Sequence, residues 1–179
     1  ALAQFEAALV IIREAGTHLM EGRTLNNIGA VYKQQGHLEE AVTYYEQALA
    51  IAREADDRSG QARTLNNLGA LYRDEQRYEE ALLQYEAALE ISREIGDRPN
   101  VAIVIHNIGG IYAAQGRYED ALERYEAALA IKRELGMDSE VTLNSKGSVY
   151  VSQGRYEAAL LQYEEALSIA REVGNRRAE

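Results

Sequence analysis

The chain has 179 residues, 46% apolar and 27% charged, a balance that fits an ordered domain or a short repeat array and excludes a disordered polymer. Asp and Glu outnumber Lys and Arg by 29 to 19, and the net charge of −10 turns the protein's field against phosphate backbones and anionic membranes, so neither is an expected partner. No apolar run reaches the roughly 18 residues a membrane helix needs and no leader pattern opens the chain, which predicts a cytoplasmic protein, while the absence of Cys removes disulfides, thiolate metal sites and cysteine nucleophiles.

Residues 1–15, ALAQFEAALVIIREA, have helical period and match the later segments that follow a repeated phrase, with Phe5 in the slot those segments give to tyrosine. The phrase itself first appears as TLNNIGAVY at 24–32, where Leu25, Ile28, Gly29 and Tyr32 recur at i, i+3, i+4 and i+7. HLEEAVTYYEQALAIARE follows from 37, its Ala41, Tyr45, Ala48, Leu49 and Ala52 forming a second apolar stripe. The same pair of segments returns as TLNNLGALY with RYEEALLQYEAALEISRE, VIHNIGGIY with RYEDALERYEAALAIKRE, and TLNSKGSVY with RYEAALLQYEEALSIARE. Their glycines, Gly29, Gly69, Gly109 and Gly147, stand 40, 40 and 38 residues apart. Gly36, Gly116 and Gly154 lie between the paired segments, where a tight connection favours a residue free to adopt positive φ; Gln76 holds that place in the second pair. Pro99 suits the first turn of its helix. Each pair is therefore expected to be a helix hairpin.

L-x-x-I-G-x-x-Y followed by A-x-x-x-Y resembles the tetratricopeptide repeat, and the resemblance covers the whole chain. Two departures are visible. Leu25, Leu65, Ile105 and Leu143 replace the family's first aromatic position, and Arg53, Arg93, Arg133 and Arg171 stand where its closing proline is expected. With the long period, these make the chain similar to the extended repeats of kinesin light chains, Pins-type polarity scaffolds and bacterial signalling proteins. The expected architecture is an all-α, right-handed α-solenoid of stacked hairpins with about nine helices, one array divided as an orphan second helix at 1–16 and repeats at 17–56, 57–96, 97–136 and 137–179. The unpaired first segment and the missing polar cap at the other end predict a fragment of a longer array, with bare ends able to associate end to end.

Most candidate chemistry has a simple structural reading. Tyr32, Tyr72, Tyr112 and Tyr150, then Tyr78, Tyr118 and Tyr156, then Tyr45, Tyr85, Tyr125 and Tyr163 each keep one helical phase and are expected in the core; only Tyr44 falls outside these slots. Glu39, Glu40, Glu79, Glu80, Glu119 and Asp120 open second helices, where the helix dipole favours negative charge. His18, His37 and His106 fall in a linker, a turn and a first helix without metal-ligand spacing, and no phosphate loop or nucleophile motif is present. No enzyme activity, catalytic residue, metal or cofactor is expected.

One stripe asks for a different explanation. With Gly22, Ala62, Ala102 and Glu140 as position one, positions 2, 6, 9 and 13 point away from the core face. They hold Arg23, Asn27, Ala30 and Gln34; Arg63, Asn67, Ala70 and Asp74; Ile103, Asn107, Gly110 and Ala114; and Val141, Ser145, Ser148 and Ser152. A merely solvated stripe would be filled with Glu and Lys, yet Asp74 is its only carboxylate. The family resemblance implies that first helices line a concave groove and that Asn27, Asn67 and Asn107 touch a bound peptide, as the matching asparagines do in kinesin light chains. The alternative is that these amides bond between neighbouring helices. Arg23 and Arg63, with Lys33 and Arg73 at the edge, predict a basic half of the floor, and Ile103, Ala113, Ala114, Val141 and Val151 an apolar half. Lys146 interrupts the core series Ile28, Leu68 and Ile108, either by snorkelling or by loosening the fourth repeat. The expected function is a protein interaction module that holds a partner peptide with acidic and apolar parts. A structural spacer or self-assembling scaffold, and a sensor segment of a larger bacterial signalling ATPase, are the alternatives.

Overall fold

A computed structural model describes the backbone of residues 2–15 and 17–178, and the side chains of these except 2, 3, 6 and 172–178. Among the described residues there are nine helices and no strand: α1 Leu2–Glu14, α2 His18–Gln34, α3 Leu38–Glu54, α4 Arg58–Asp74, α5 Tyr78–Glu94, α6 Arg98–Ala114, α7 Tyr118–Glu134, α8 Glu140–Ser152 and α9 Tyr156–Ala178. The chain divides into two compact units, Ala1–Asp97 and Arg98–Glu179. In the first, α2 pairs with α3 and α4 with α5, α1 packs on α2, and α3 on α4. In the second, α6 pairs with α7, α8 with α9, and α7 packs on α8.

The helices end for identifiable reasons. At the α2–α3 turn the Gly36 N–H donates to the Lys33 carbonyl (3.1 Å) and the His37 N–H to the Tyr32 carbonyl (3.0 Å), the paired bonds of a left-handed helix cap. Gly36 has φ +80°, and Gln76 takes the same cap at φ +60° with matching bonds to Arg73 and Tyr72. Asp56, at φ +51°, closes α3 in the same way. The cap geometry therefore prevails over the roughly 1 kcal/mol that a side chain costs in this region. The Asp57 carboxylate then accepts from the Gly60 N–H (2.9 Å) and caps α4, and Pro99 lies in the first turn of α6.

Each hairpin is locked by an aromatic ring laid on the glycine of the repeated phrase. A Cβ built on Gly69 would lie 2.7 Å from ring carbons of Tyr85; the corresponding approaches are 2.9 Å for Gly29 to Tyr45, 3.0 Å for Gly109 to Tyr125 and 2.6 Å for Gly147 to Tyr163. Any side chain at these positions would push the two helices apart. Leu25, Ile28, Leu65, Leu68, Ile105, Ile108 and Leu143 are buried beside these contacts. Burial pushes the Tyr45 and Tyr85 hydroxyls up to about 12.

A second contact fixes the turns. The Arg77 guanidinium lies 4.5 Å from the Tyr72 ring centre, Arg117 4.1 Å from Tyr112 and Arg155 4.4 Å from Tyr150, while His37 meets the edge of Tyr32 with centres 6.0 Å apart. Arg77 also pairs with Glu80 (2.9 Å) and Arg117 with Asp120 (2.7 Å), so these carboxylates hold the turn cation as well as facing the helix dipole.

Several sequence expectations are corrected. Tyr44, outside the repeated slots, is half-buried against the core, stacked on Tyr32 with ring centres 5.2 Å apart and planes 12° from parallel. Tyr156 is 65% exposed, whereas Tyr118, at the same repeat position, packs against the cluster of Ala121, Tyr125 and Val149. Its ring has no such neighbour among the described residues. His18 is the first residue of α2, not a linker residue. Lys146 snorkels: it is 7% exposed and its ammonium pairs with Glu126.

The fourth repeat adapts to its shorter link with a second buried lysine. α8 has 13 residues where α2, α4 and α6 have 17, and Lys132, 8% exposed, donates to the Thr142 hydroxyl (3.0 Å) at its first turns. Burial holds that ammonium below its ordinary value, with Asp138 opposing the shift.

The glycine contact predicts two opposite outcomes within one phrase. Gly69→Ala should lower stability by about 1–3 kcal/mol through overpacking against Tyr85. Gly110→Ala should raise it by up to about 1 kcal/mol, because helix propensity improves and the new Cβ would meet only the Tyr125 hydroxyl at 3.7 Å. Urea unfolding of the two variants checks both signs.

Candidate interaction face

Burying positions 4, 7 and 8 of each first helix leaves its opposite stripe bare. In the first unit Arg23, Asn27 and Gln34 of α2 are exposed, and Ala30 and Lys33 are half-buried. On α4, Arg63, Asn67, Ala70 and Arg73 are half-buried and Asp74 is exposed. In the second unit Ile103 is 40% and Val141 62% exposed, with Asn107 and Gly110 half-buried. No residue of the predicted stripe is buried.

Helix contacts give each unit an inner side. The backbones of α2 and α4 approach closely, as do those of α6 and α8, whereas among the described residues the backbones of α3 and α5, and of α7 and α9, stay apart. First helices converge and second helices splay, so the bare stripe lies on the inner side of each unit.

The stripe is more engaged with itself than its sequence suggests. The Asn67 amide donates to the Asn26 carbonyl oxygen (3.0 Å), and Asn26 is 3% exposed. Asn67 thus ties α4 to α2 and keeps its second amide hydrogen and its carbonyl for other partners. Asn27 and Asn144 are exposed.

The basic edge is also answered from within. Asp74 receives the Lys33 ammonium at 2.8 Å and Arg73 at 2.9 Å. Partial burial would raise the Asp74 carboxyl, but hydrogen bonds and charge from Lys33 and Arg73 outweigh it and hold the group below 3.8. Position 13 of the second repeat reaches back to α2, which pattern reading alone does not reveal. Arg23 and Arg63, in contrast, form no hydrogen bond or ion pair with any described residue.

The hairpin tyrosines reach the floor from beneath. The Tyr163 hydroxyl meets Ser148 at 3.3 Å, and the Tyr125 hydroxyl lies below Gly110. The Tyr85 hydroxyl is buried without a partner among the described residues; Ala70, at the equivalent repeat position, offers no acceptor. The small residues at position 9 are the sequence signal for this layer. Among the described residues no three His, Cys, Asp or Glu side chains are placed to share a metal ion, and no helix is long and apolar enough to cross a membrane.

The Asp74 pairs have an acid-side signature. A carboxyl whose folded value is depressed contributes stability above its unfolded value of 3.8, and that contribution is lost as pH falls through the lower folded value. Asp74→Asn should therefore be less stable than the parent above pH 3.8, by up to about 1 kcal/mol for so exposed a group, and the two should converge on acidification. Urea midpoints across that range test this.

Comparison with known proteins agrees with this geometry. Tetratricopeptide repeat profiles match residues 1–54, 60–134 and 141–173. No curated protein sequence matches the chain significantly. Among solved structures, BtubC (BKLC) from P. vanneervenii superposes with a TM-score of 0.81 at 24% identity, over 96% of this chain and 72% of that one. The Rap conjugation gene regulator of plasmid pLS20, in complex with the Phr* peptide, gives 0.85 at 19% identity over 97% of this chain; the present chain spans 48% of its length. Putative kinesin light chain TPR-like repeats from Podospora anserina give 0.71 at 17% identity, over 97% and 87%. The repeated phrase, the stacked hairpins and these matches place the chain in the tetratricopeptide repeat family, an all-α solenoid fold.

Proposed function

We propose that the chain is a protein interaction module whose first helices take a polypeptide segment of a partner. The observation that carries this reading is the bare inner stripe of the first helices in each unit, α2 and α4 in one and α6 and α8 in the other, with small residues at Ala30, Ala70, Gly110 and Ser148 that let another backbone approach. Exposed amides at Asn27 and the free valences of Asn67 can satisfy main-chain groups of an extended segment. The pLS20 Rap regulator, of similar fold, is in complex with a peptide, which supports the same use of this fold.

The two units ask for different chemistry. In the first, Arg23 and Arg63 are stripe cations without internal partners, and within an acidic protein they attract an acidic side chain. In the second, exposed Ile103 and Val141 favour an apolar one. No step of this function needs a catalytic group or cofactor, and a cytoplasmic setting suits such a module.

Affinity capture of partners from a proteome with three immobilised chains tests the proposal: parent, Arg23→Glu with Arg63→Glu, and Ala30→Arg with Ala70→Arg. Partners held by the face should fall at least about tenfold with either double variant, as expected for losing charge-assisted contacts, while thermal unfolding is unchanged. Undiminished capture and unaltered salt dependence in both variants would leave only a spacer.

A further inference from the structure

The splay of the second helices opens a groove on the side of the first unit opposite the proposed face. It measures about 480 Å³ and is bounded by the end of α3, the start of α4 and the middle of α5. Its floor is apolar, from Leu65 and Ile91, which are 5% and 9% exposed, and Leu83, 64% exposed, stands on its wall. The size lies within the range of roughly 300–1,000 Å³ typical of ligand pockets.

The second unit shows how such a gap is bridged from within. Arg133 at the end of α7 reaches α9 and pairs with Glu165 at 2.6 Å. Arg53 occupies the place of Arg133, and the residue at the place of Glu165 is Ala87; both line the groove. Arg53 has no hydrogen bond or ion pair with any described residue. A cation in the last turn of a helix also serves the helix dipole, but Arg133 stands in the same turn and still takes a carboxylate. The first unit thus keeps the arginine and lacks the acid.

The remaining charges restrict what can fill the place. On the α5 wall Glu94 is already paired with Arg58, and Glu90 is exposed without an ion pair. An incoming carboxylate is accepted beside Arg53 and repelled near Glu90, where a basic group is preferred. Leu161, equivalent to Leu83, is 63% exposed, and Arg93, equivalent to Arg53, also has no ion pair with a described residue, so neither feature alone singles out this groove; the apolar floor of Leu65 and Ile91 beside an unanswered arginine does.

We propose that this groove is a second docking site, for an amphipathic helix of a partner protein that sets an apolar side chain on Leu83 and a carboxylate on Arg53. The partner supplies in trans the acid that Glu165 supplies in cis in the second unit. The site is independent of the first-helix face.

The test is a displayed library of randomised helical peptides, selected on the parent chain and counter-selected on Ala87→Glu, in which Arg53 gains an internal partner and the groove closes. Selected peptides should carry Asp or Glu on the helical face of a Leu, Ile, Met or Phe. Their affinity by fluorescence anisotropy should fall at least about tenfold with Ala87→Glu and with Leu83→Glu, the size expected for a charge-assisted contact and a buried anchor. Ala30→Arg with Ala70→Arg should leave it unchanged, which separates this site from the proposed inner face. The proposal is overturned if no peptide distinguishes the parent from Ala87→Glu, or if selection enriches basic peptides. It is also overturned if Ala87→Glu abolishes a dimer seen by sedimentation, which would assign the groove to a second copy of the chain.

Discussion

The fit of a tyrosine ring onto a bare glycine backbone is the constraint from which the rest follows. It sets the distance between the two helices of a hairpin, and it does so four times, at Gly29, Gly69, Gly109 and Gly147. Once that side of a first helix is committed to the ring, the helix period decides which residues face away. The bare stripe is therefore a consequence of the packing, and its chemistry is free to vary from repeat to repeat while the core phrase stays fixed. Arg23, Arg63, Ile103 and Val141 hold one position with three kinds of side chain.

The same logic separates the two sides of each unit. First helices approach closely enough for Asn67 to bond to Asn26, and the second helices pay for that curvature by moving apart. In the second unit the outer gap is spanned by Arg133 and Glu165; in the first it stays open, with Arg53 and Ala87 both on its lining. Of the equivalent positions Gln47, Ala87, Ala127 and Glu165, only the last carries an acid. Surface ion pairs of this kind contribute little stability, so the fold does not require one at this position.

Much of the fold was legible because repetition averages over local noise. Four copies of one phrase fixed the helix phase, the hairpin turns and the buried face, and even Gln76 could be read as a left-handed cap from its alignment with glycines. The stripe was legible for the same reason. What pattern reading missed were contacts between repeats. Asp74 appeared as an isolated acid in a basic row, yet it neutralises Lys33 and Arg73, because its neighbour lies some forty residues back in sequence. For Asn67 the sequence left open a peptide contact or a bond between helices, and could not name Asn26 as the partner it has. Tyr44 had no counterpart in other repeats, so nothing in the period announced its stacking on Tyr32. Lys132 and Thr142 were invisible because a link two residues shorter creates their contact.

The account is tested most directly by ionising the tyrosines of the hairpin lock, followed one residue at a time by ring-carbon NMR on tyrosine-labelled protein. Because burial raises the Tyr45 and Tyr85 hydroxyls from 10.0 to about 12, the stability they contribute is fully present below pH 10 and is lost as pH climbs to about 12. Both rings should stay protonated through pH 10 and ionise only as the helices unfold. Ionisation of either ring near pH 10 in a still-folded chain would show that the rings are not seated on their glycines, and the bare stripe would lose its cause.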